Sequence, residues 1–174
     1  MEEYLKRIAE SLERAFPLDP DSDFFEKADA FIWEPAQNQF SEVNDISTVD
    51  ISLLKGMDEE IDQVRLNTEA FIEGKLANNV LVWGARGMGK STLVKSVVKV
   101  ANSKSKSLKI IEVARDDIGQ IGQLLKLIKK INKKFIIFCD DISFDDNETG
   151  YKSLKSVLDG GLIGGMQNVL VYAT

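Results

Sequence analysis

The sequence predicts a three-layer α/β fold built on a parallel sheet and preceded by a helical N-terminal arm. Three observations carry that expectation. Val80–Trp83, Leu108–Val113, Phe135–Cys139 and Asn168–Ala173 are short, nearly continuous apolar runs. Such runs suit strands covered on both faces, the usual state of a parallel sheet. Stretches of helical texture at 90–102, 117–132 and 150–159 lie between them, and strand–helix alternation implies right-handed crossovers with helices on both sides of the sheet. A glycine-rich segment, Gly84–Gly89, joins the first run directly to the first of those helices.

Residues 3–16 predict an amphipathic helix, because Leu5, Ile8, Leu12 and Phe16 recur at helical spacing. Pro17 and Pro20 stop it. A second, short helix is expected next, capped by Asp21 or Ser22, with Phe24, Ala28, Phe31 and Ile32 on one face and Pro35 at its end. The aromatic group Phe24, Phe25, Phe31 and Trp33 is expected to pin this arm to the core. Residues 35–50 read as a connector. A third helix spans Asp58–Gly74, with Met57, Ile61, Val64, Thr68, Phe71 and Ile72 as its stripe and Gly74 at its C-cap. Asn78-Asn79 then turns the chain into the first apolar run. Leu93, Val97, Val100 and Ala101 mark the inner side of the helix that follows the glycines. Gly160-Gly161 and Gly164-Gly165 read as a flexible turn before the last run.

The 174 residues allow one domain with an extra arm, and 44% hydrophobic content suffices for a sizeable core. The division expected is an acidic arm and linker at 1–50 and an α/β domain at 51–174. Residues 1–79 hold 19 acidic and 7 basic residues, whereas residues 80–174 hold 9 and 15. That step fits an acidic arm resting on a mildly basic core. No apolar stretch approaches the ~20 residues of a membrane helix, and the acidic start lacks a secretion-signal layout, so a cytoplasmic location is expected. Cys139 is the single cysteine and lies within an apolar run, which predicts a buried, inert thiol and excludes an internal disulfide. With no histidine in the chain, imidazole-based metal sites and Ser-His-Asp or Cys-His chemistry are excluded.

Gly84-Ala85-Arg86-Gly87-Met88-Gly89-Lys90-Ser91 fits the phosphate-binding pattern G-x-x-x-x-G-K-[ST] in full. The glycines let successive backbone N–H groups converge on phosphate oxygens. The helix starting near Lys90 adds the positive end of its dipole. The Lys90 ammonium reaches the β- and γ-phosphates of ATP, the Ser91 hydroxyl ligates Mg²⁺, and Thr92 lies in range of the α-phosphate. Arg86 either touches phosphate or a neighbouring subunit, or points to solvent. An apolar run leads into the loop and an amphipathic helix leads out, which is the setting this chemistry requires.

Downstream, Phe135–Cys139 ends in Asp140-Asp141. Ligands of open α/β sheets bind at the carboxyl ends of strands. Asp140 is therefore expected in the Mg²⁺ shell and Asp141 beside the attacking water, with a loop-start or capping role as the alternative for Asp141.

These residues resemble an AAA+ ATPase. Gly84, Gly87, Gly89, Lys90 and Ser91 follow the AAA+ Walker A spacing, and four apolar residues before Asp140-Asp141 resemble its Walker B strand, with Asp141 where glutamate is usual. Three stretches, residues 77–87, 138–144 and 168–174, are similar to a bacterial family of uncharacterised ATPases classed as a domain of unknown function, and the resemblance spans roughly 50–174. It implies that Gly56 and Met57 contact adenine, although Met57 also suits an ordinary helix-start core position. It further implies that the last strand delivers a polar sensor-1 residue about where Thr174 falls. A fifth strand, an arginine finger and a helical lid would follow, so the chain is expected to be a fragment with an open sheet edge that favours self-association.

The function expected is ATP-Mg²⁺ binding and hydrolysis coupled to shape change in a homo-oligomer, with catalytic roles for Asp141 and Lys90. A nucleotide-gated adaptor with little turnover is the alternative. A small-molecule kinase is disfavoured, because residues 142–167 hold no arginine. Lys126, Lys129, Lys130, Lys133 and Lys134 suit a solvated helix end better than a nucleic-acid surface, since no aromatic residue interleaves with them.

Overall fold

The computed structural model describes residues 1–15, 19–142, 155 and 166–174. The helix expected at 150–159 (Lys155 apart), the glycine pairs at 160–165, and Phe16 and Pro17 lie outside the described residues.

The described chain forms an α/β structure around one six-stranded, mostly parallel sheet. In chain order its elements are α1 (Glu2–Ala15), β1 (Ala30–Glu34), β2 (Gln39–Val43), α2 (Asp58–Ile72), β3 (Val80–Leu81), α3 (Lys90–Lys104), β4 (Leu108–Val113), α4 (Ile121–Ile128), β5 (Lys134–Cys139) and β6 (Val169–Ala173). The spatial order is β2-β1-β4-β5-β6-β3. Only β1–β2 is antiparallel; β1–β4, β4–β5, β5–β6 and β6–β3 run parallel.

Consecutive strand residues feed two different cores. Ile111, Phe135, Ile137, Cys139, Val169 and Val171 face one side, where α4 contributes Ile121, Leu124, Leu125 and Ile128. Ile110, Ile136, Phe138, Leu170 and Tyr172 face the other, against Ile61, Val64 and Phe71 of α2 and Leu93, Val97 and Ala101 of α3. This is why the apolar runs show no alternation: both faces of the central strands are covered. Lys109 interrupts its run because its buried ammonium donates to Ala28 O and Asp29 Oδ1, both at 2.9 Å. It ties β4 to the start of β1 and satisfies its own charge.

Five expectations need correction. Residues 24–34 are not a helix: Phe24–Glu26 form one 3₁₀ turn, and Ala30–Glu34 are a strand. The helical spacing of Phe24, Ala28, Phe31 and Ile32 was outweighed by period-2 packing, with Phe31 and Trp33 buried on one face beside Phe40 and Ile32 exposed between them. Residues 35–50 are only partly a connector, since β2 returns from a turn in which Asn38 adopts φ 52°, a backbone region asparagine tolerates. The β3 run is shorter and more exposed than a buried central strand: Leu81 and Trp83 are open to solvent because β3 lies at the sheet edge. Val100 is likewise exposed rather than on the inner side of α3, whose buried face is Leu93, Val94, Val97, Val98 and Ala101. The segment expected as one helix at 117–132 is a 3₁₀ turn at Arg115–Gln120 followed by α4.

The aromatic group does pin the N-terminal segment. Phe25 is wholly buried and sits edge-on to Phe24, Phe31, Phe40 and Phe135 at centroid distances of 4.9–5.3 Å. Cys139 is also wholly buried, and burial pushes its thiol up to about 12. At pH 8 such a group is roughly one part in ten thousand thiolate. Labelling of native protein by a thiol-reactive disulfide reagent is expected to be negligible and to appear only with global unfolding. Rapid labelling in the native state would contradict this packing.

Candidate functional site

Three parallel strands deliver their carboxyl ends to one place. Leu81 of β3 and Cys139 of β5 both stand opposite Ala173 of β6. Asp140 and Thr174 are the next residues of β5 and β6, and the glycine-rich loop follows β3 after Val82 and Trp83. The short β3 is held firmly for its length. Val82 N–H donates to Ala173 O at 2.9 Å, and Val171 N–H donates to Asn79 Oδ1 at 2.9 Å. The Asn67 amide from α2 brackets Asn78, donating to its carbonyl at 2.8 Å and accepting from its N–H at 2.9 Å. Asn67 and Thr68 also bond the buried Tyr172 hydroxyl, at 3.0 and 2.8 Å.

The loop turns on residues that only glycine adopts without cost. Gly87 and Gly89 have φ values of 84° and 89°. Gly89 has a second constraint, since a Cβ there would meet Leu54 Cδ2 at 3.4 Å and Met57 Sδ at 4.0 Å. α3 starts immediately, with Gly89 as its N-cap and Leu93 N–H donating to Gly89 O at 2.8 Å. The free N–H groups of that first turn therefore face the loop.

Arg86, Gly87, Gly89, Lys90, Ser91, Thr92, Asp140, Asp141 and Thr174 line one pocket of about 370 Å³. The Lys90 ammonium donates to the carbonyls of Gly84 and Ala85 at 3.1 and 3.0 Å. Ser91 Oγ donates to Asp140 Oδ1 at 2.5 Å, and the Thr174 hydroxyl donates to the same oxygen. The Asp141 N–H also donates to it, at 3.0 Å. Burial works against the charged carboxyl of Asp140. The Ser91 and Thr174 hydroxyls, the nearby Lys95 charge and the Asp141 N–H outweigh it, so the group is held below its ordinary range. Asp140 is an anion at neutral pH. Among the described residues, Asp141 is one of two non-glycine residues with positive φ, at 52°. Aspartate is among the residues that enter this region most readily.

The residues singled out in the sequence thus fall into three groups. Arg86, Gly87, Gly89, Lys90, Ser91, Thr92, Asp140 and Asp141 share the pocket wall. Gly84, Ala85 and Met88 belong to the same loop without lining it, Met88 being largely exposed. Gly56 and Met57 lie outside it: Gly56 has φ 76°, and the buried Met57 precedes α2 and packs behind Gly89. Thr174 sits on the strand tip and bonds Asp140, about where the resemblance puts a polar residue. One further participant escaped the sequence reading as a site residue. Lys95, one turn into α3, pairs with Glu112 at 2.9 Å and lies over the Phe138 ring. Nothing in its spacing marked it.

Two larger pockets lack this convergence. One of about 600 Å³ runs along β3 and α2. Another of about 440 Å³ lies at the amino end of β4, where Lys109 is engaged with Asp29. The lysine cluster is partly structural: Lys133 pairs with Glu26, and Lys134 donates to Gln167 O at 2.9 Å and caps the Phe71 ring. No helix among the described residues is long and apolar enough to cross a membrane.

Fold and site together define an α/β protein with a charged pocket at the carboxyl edge of a mostly parallel sheet. The chain belongs to the family described as protein of unknown function DUF815, which it matches over residues 26–174. The match takes in β1 and β2 and omits α1. No curated protein matches the chain significantly.

Proposed function

We propose that this chain is the nucleotide-binding part of a P-loop ATPase of the AAA+ type. The observation that carries the reading is the Ser91–Asp140 hydrogen bond at 2.5 Å, which joins the start of α3 to the tip of β5 inside the pocket that Lys90 lines. A hydroxyl and a carboxylate are hard oxygen donors suited to Mg²⁺, which keeps several waters and takes its remaining ligands from phosphates. Ser91 and Asp140 would hold that ion, which when bound neutralises charge between the β- and γ-phosphates.

The residues of the chain then divide the work. The N–H groups at Gly87, Gly89 and the first turn of α3 bind phosphate oxygens. Lys90 exchanges its two carbonyl contacts for the β- and γ-phosphates. Asp141 accepts a hydrogen bond from the water that attacks the γ-phosphorus in line, and takes its proton as ADP leaves. Thr174, bonded to Asp140, holds the far wall. Leu54 and Met57, packed behind Gly89, support the nucleoside end of the loop. An oligomer and a motion driven by turnover belong to the same reading.

Phosphate release by wild type and Asp141→Asn tests it. Asparagine tolerates the same left-handed backbone and removes only the charge. Turnover is expected to fall by about 100-fold or more, with ATP affinity changed less than about 3-fold. An unchanged rate would remove Asp141 from the chemistry. Nucleotide binding with no turnover in wild type would leave the adaptor reading in its place.

A further inference from the structure

We propose that Arg86 is a phosphate-reading cation supplied from within the loop itself, contacting the outermost phosphate of a bound nucleoside triphosphate and favouring it over the diphosphate. The inference rests on the nucleotide-binding reading above and assigns within it what selects the ligand's length.

Arg86 lines the 370 Å³ pocket together with Lys90, Asp141 and Thr174. Among the described residues it makes no hydrogen bond or ion pair. The other loop cation is committed: Lys90 is held by the carbonyls of Gly84 and Ala85, the two residues that immediately precede Arg86. Two positive groups thus lie on one short stretch of backbone, one tethered and one not. The carboxylates facing them are also unequal. Asp140 accepts three hydrogen bonds, whereas Asp141, at the strand tip, is exposed.

Direction along the loop assigns the contact. Its helix end, at Gly89, backs onto Leu54 and Met57, the apolar side suited to a nucleoside. Arg86 stands three residues earlier, toward the strand, and lines the same pocket as Asp141 and Thr174. The last phosphate of a bound nucleotide falls on that side. A guanidinium presents a planar fork that meets two phosphate oxygens at once. A triphosphate brings one more phosphate, and its charge, to this end, whereas a diphosphate stops short of it. Arg86 should therefore discriminate by phosphate number, in contrast to Lys90, which keeps its β-phosphate contact with either ligand.

The test is calorimetric titration of the wild-type chain, Arg86→Ala, Arg86→Lys and Lys90→Ala with a magnesium complex of a non-hydrolysable ATP analogue, and separately with MgADP. Arg86→Ala is expected to weaken the triphosphate analogue roughly 10- to 100-fold and MgADP less than about 3-fold. Arg86→Lys should fall between, because it keeps the charge and loses the fork. Lys90→Ala should weaken both ligands. Unchanged MgADP binding also certifies that the variant is folded. Equal losses for both ligands in Arg86→Ala would overturn the proposal, as would no loss for either. Failure of the wild type to bind either ligand would instead remove the nucleotide reading on which it rests.

Discussion

Lys90→Ala is expected to lower ATP affinity by at least about 100-fold without destabilising the fold. The ammonium lies in a pocket wall, donates to two backbone carbonyls and belongs to neither core. Its contacts with an exposed loop contribute little to folding. Charge-assisted hydrogen bonds to phosphate contribute about 1.5–3 kcal/mol each, and two of them convert to a hundredfold or more in affinity. Titration with MgATP, alongside chemical denaturation of the same samples, reads both quantities. Wild-type affinity in the variant would sink the phosphate-grip assignment. A large drop in unfolding midpoint would mean that the lysine serves the fold instead.

Phe25→Ala should produce the opposite pattern, a stability loss of about 3–5 kcal/mol. This ring is wholly buried and touches four others, including Phe135 of the central β5. Removing it opens a cavity between the hairpin and the sheet, bounded by Phe31, Phe40 and Phe135. The hairpin would lose its anchor on that face of β4. Domains of this kind have about 5–15 kcal/mol in hand, so the transition should move far toward low denaturant. Leu76→Ala, at a fully exposed position, is the control and should stay within about 0.5 kcal/mol. A loss below about 1 kcal/mol for Phe25→Ala would mean that residues 24–43 do not pack as a hairpin on the sheet.

Legibility from sequence followed burial. β4, β5 and β6 read correctly because each is covered on both faces and apolar at almost every position. α2 read correctly because Ile61, Val64, Thr68 and Phe71 all face one core. The N-terminal hairpin was misread because two periodicities overlap in residues 24–33. The helical pattern in Phe24, Ala28, Phe31 and Ile32 is accidental, and the meaningful pair is Phe31 and Trp33. What decides between them is β4, whose free edge accepts β1 from more than sixty residues away, and no local window contains that information. The same non-locality hid Trp83. It continues an apolar run, yet it lies just past the end of the outermost strand, β3, and its side chain meets solvent.

The site divided similarly. Gly84–Ser91 is contiguous and was visible as a motif. Asp140 was visible because a carboxylate at the tip of an apolar strand is costly unless it has work there. Thr174 and Lys95 act through Asp140 from different elements, and only the folded sheet brings them together. Gly56 and Met57 do not line the pocket of Lys90 and Asp140; Met57 packs behind Gly89.

The short bonds around Asp140 have a consequence for how a cation would be received. One carboxylate oxygen at the tip of β5 gathers a helix start 49 residues away and a second strand tip 34 residues away along the chain. Each of those segments restrains the others, so an ion held as proposed by Ser91 and Asp140 would meet side chains already tied to the sheet. An entering divalent ion would take the place of hydrogen bonds at an oxygen already held in position, at little cost in chain entropy. Selectivity among ions at such a point would be set by how readily each sheds its water, and far less by how well a loop folds around it.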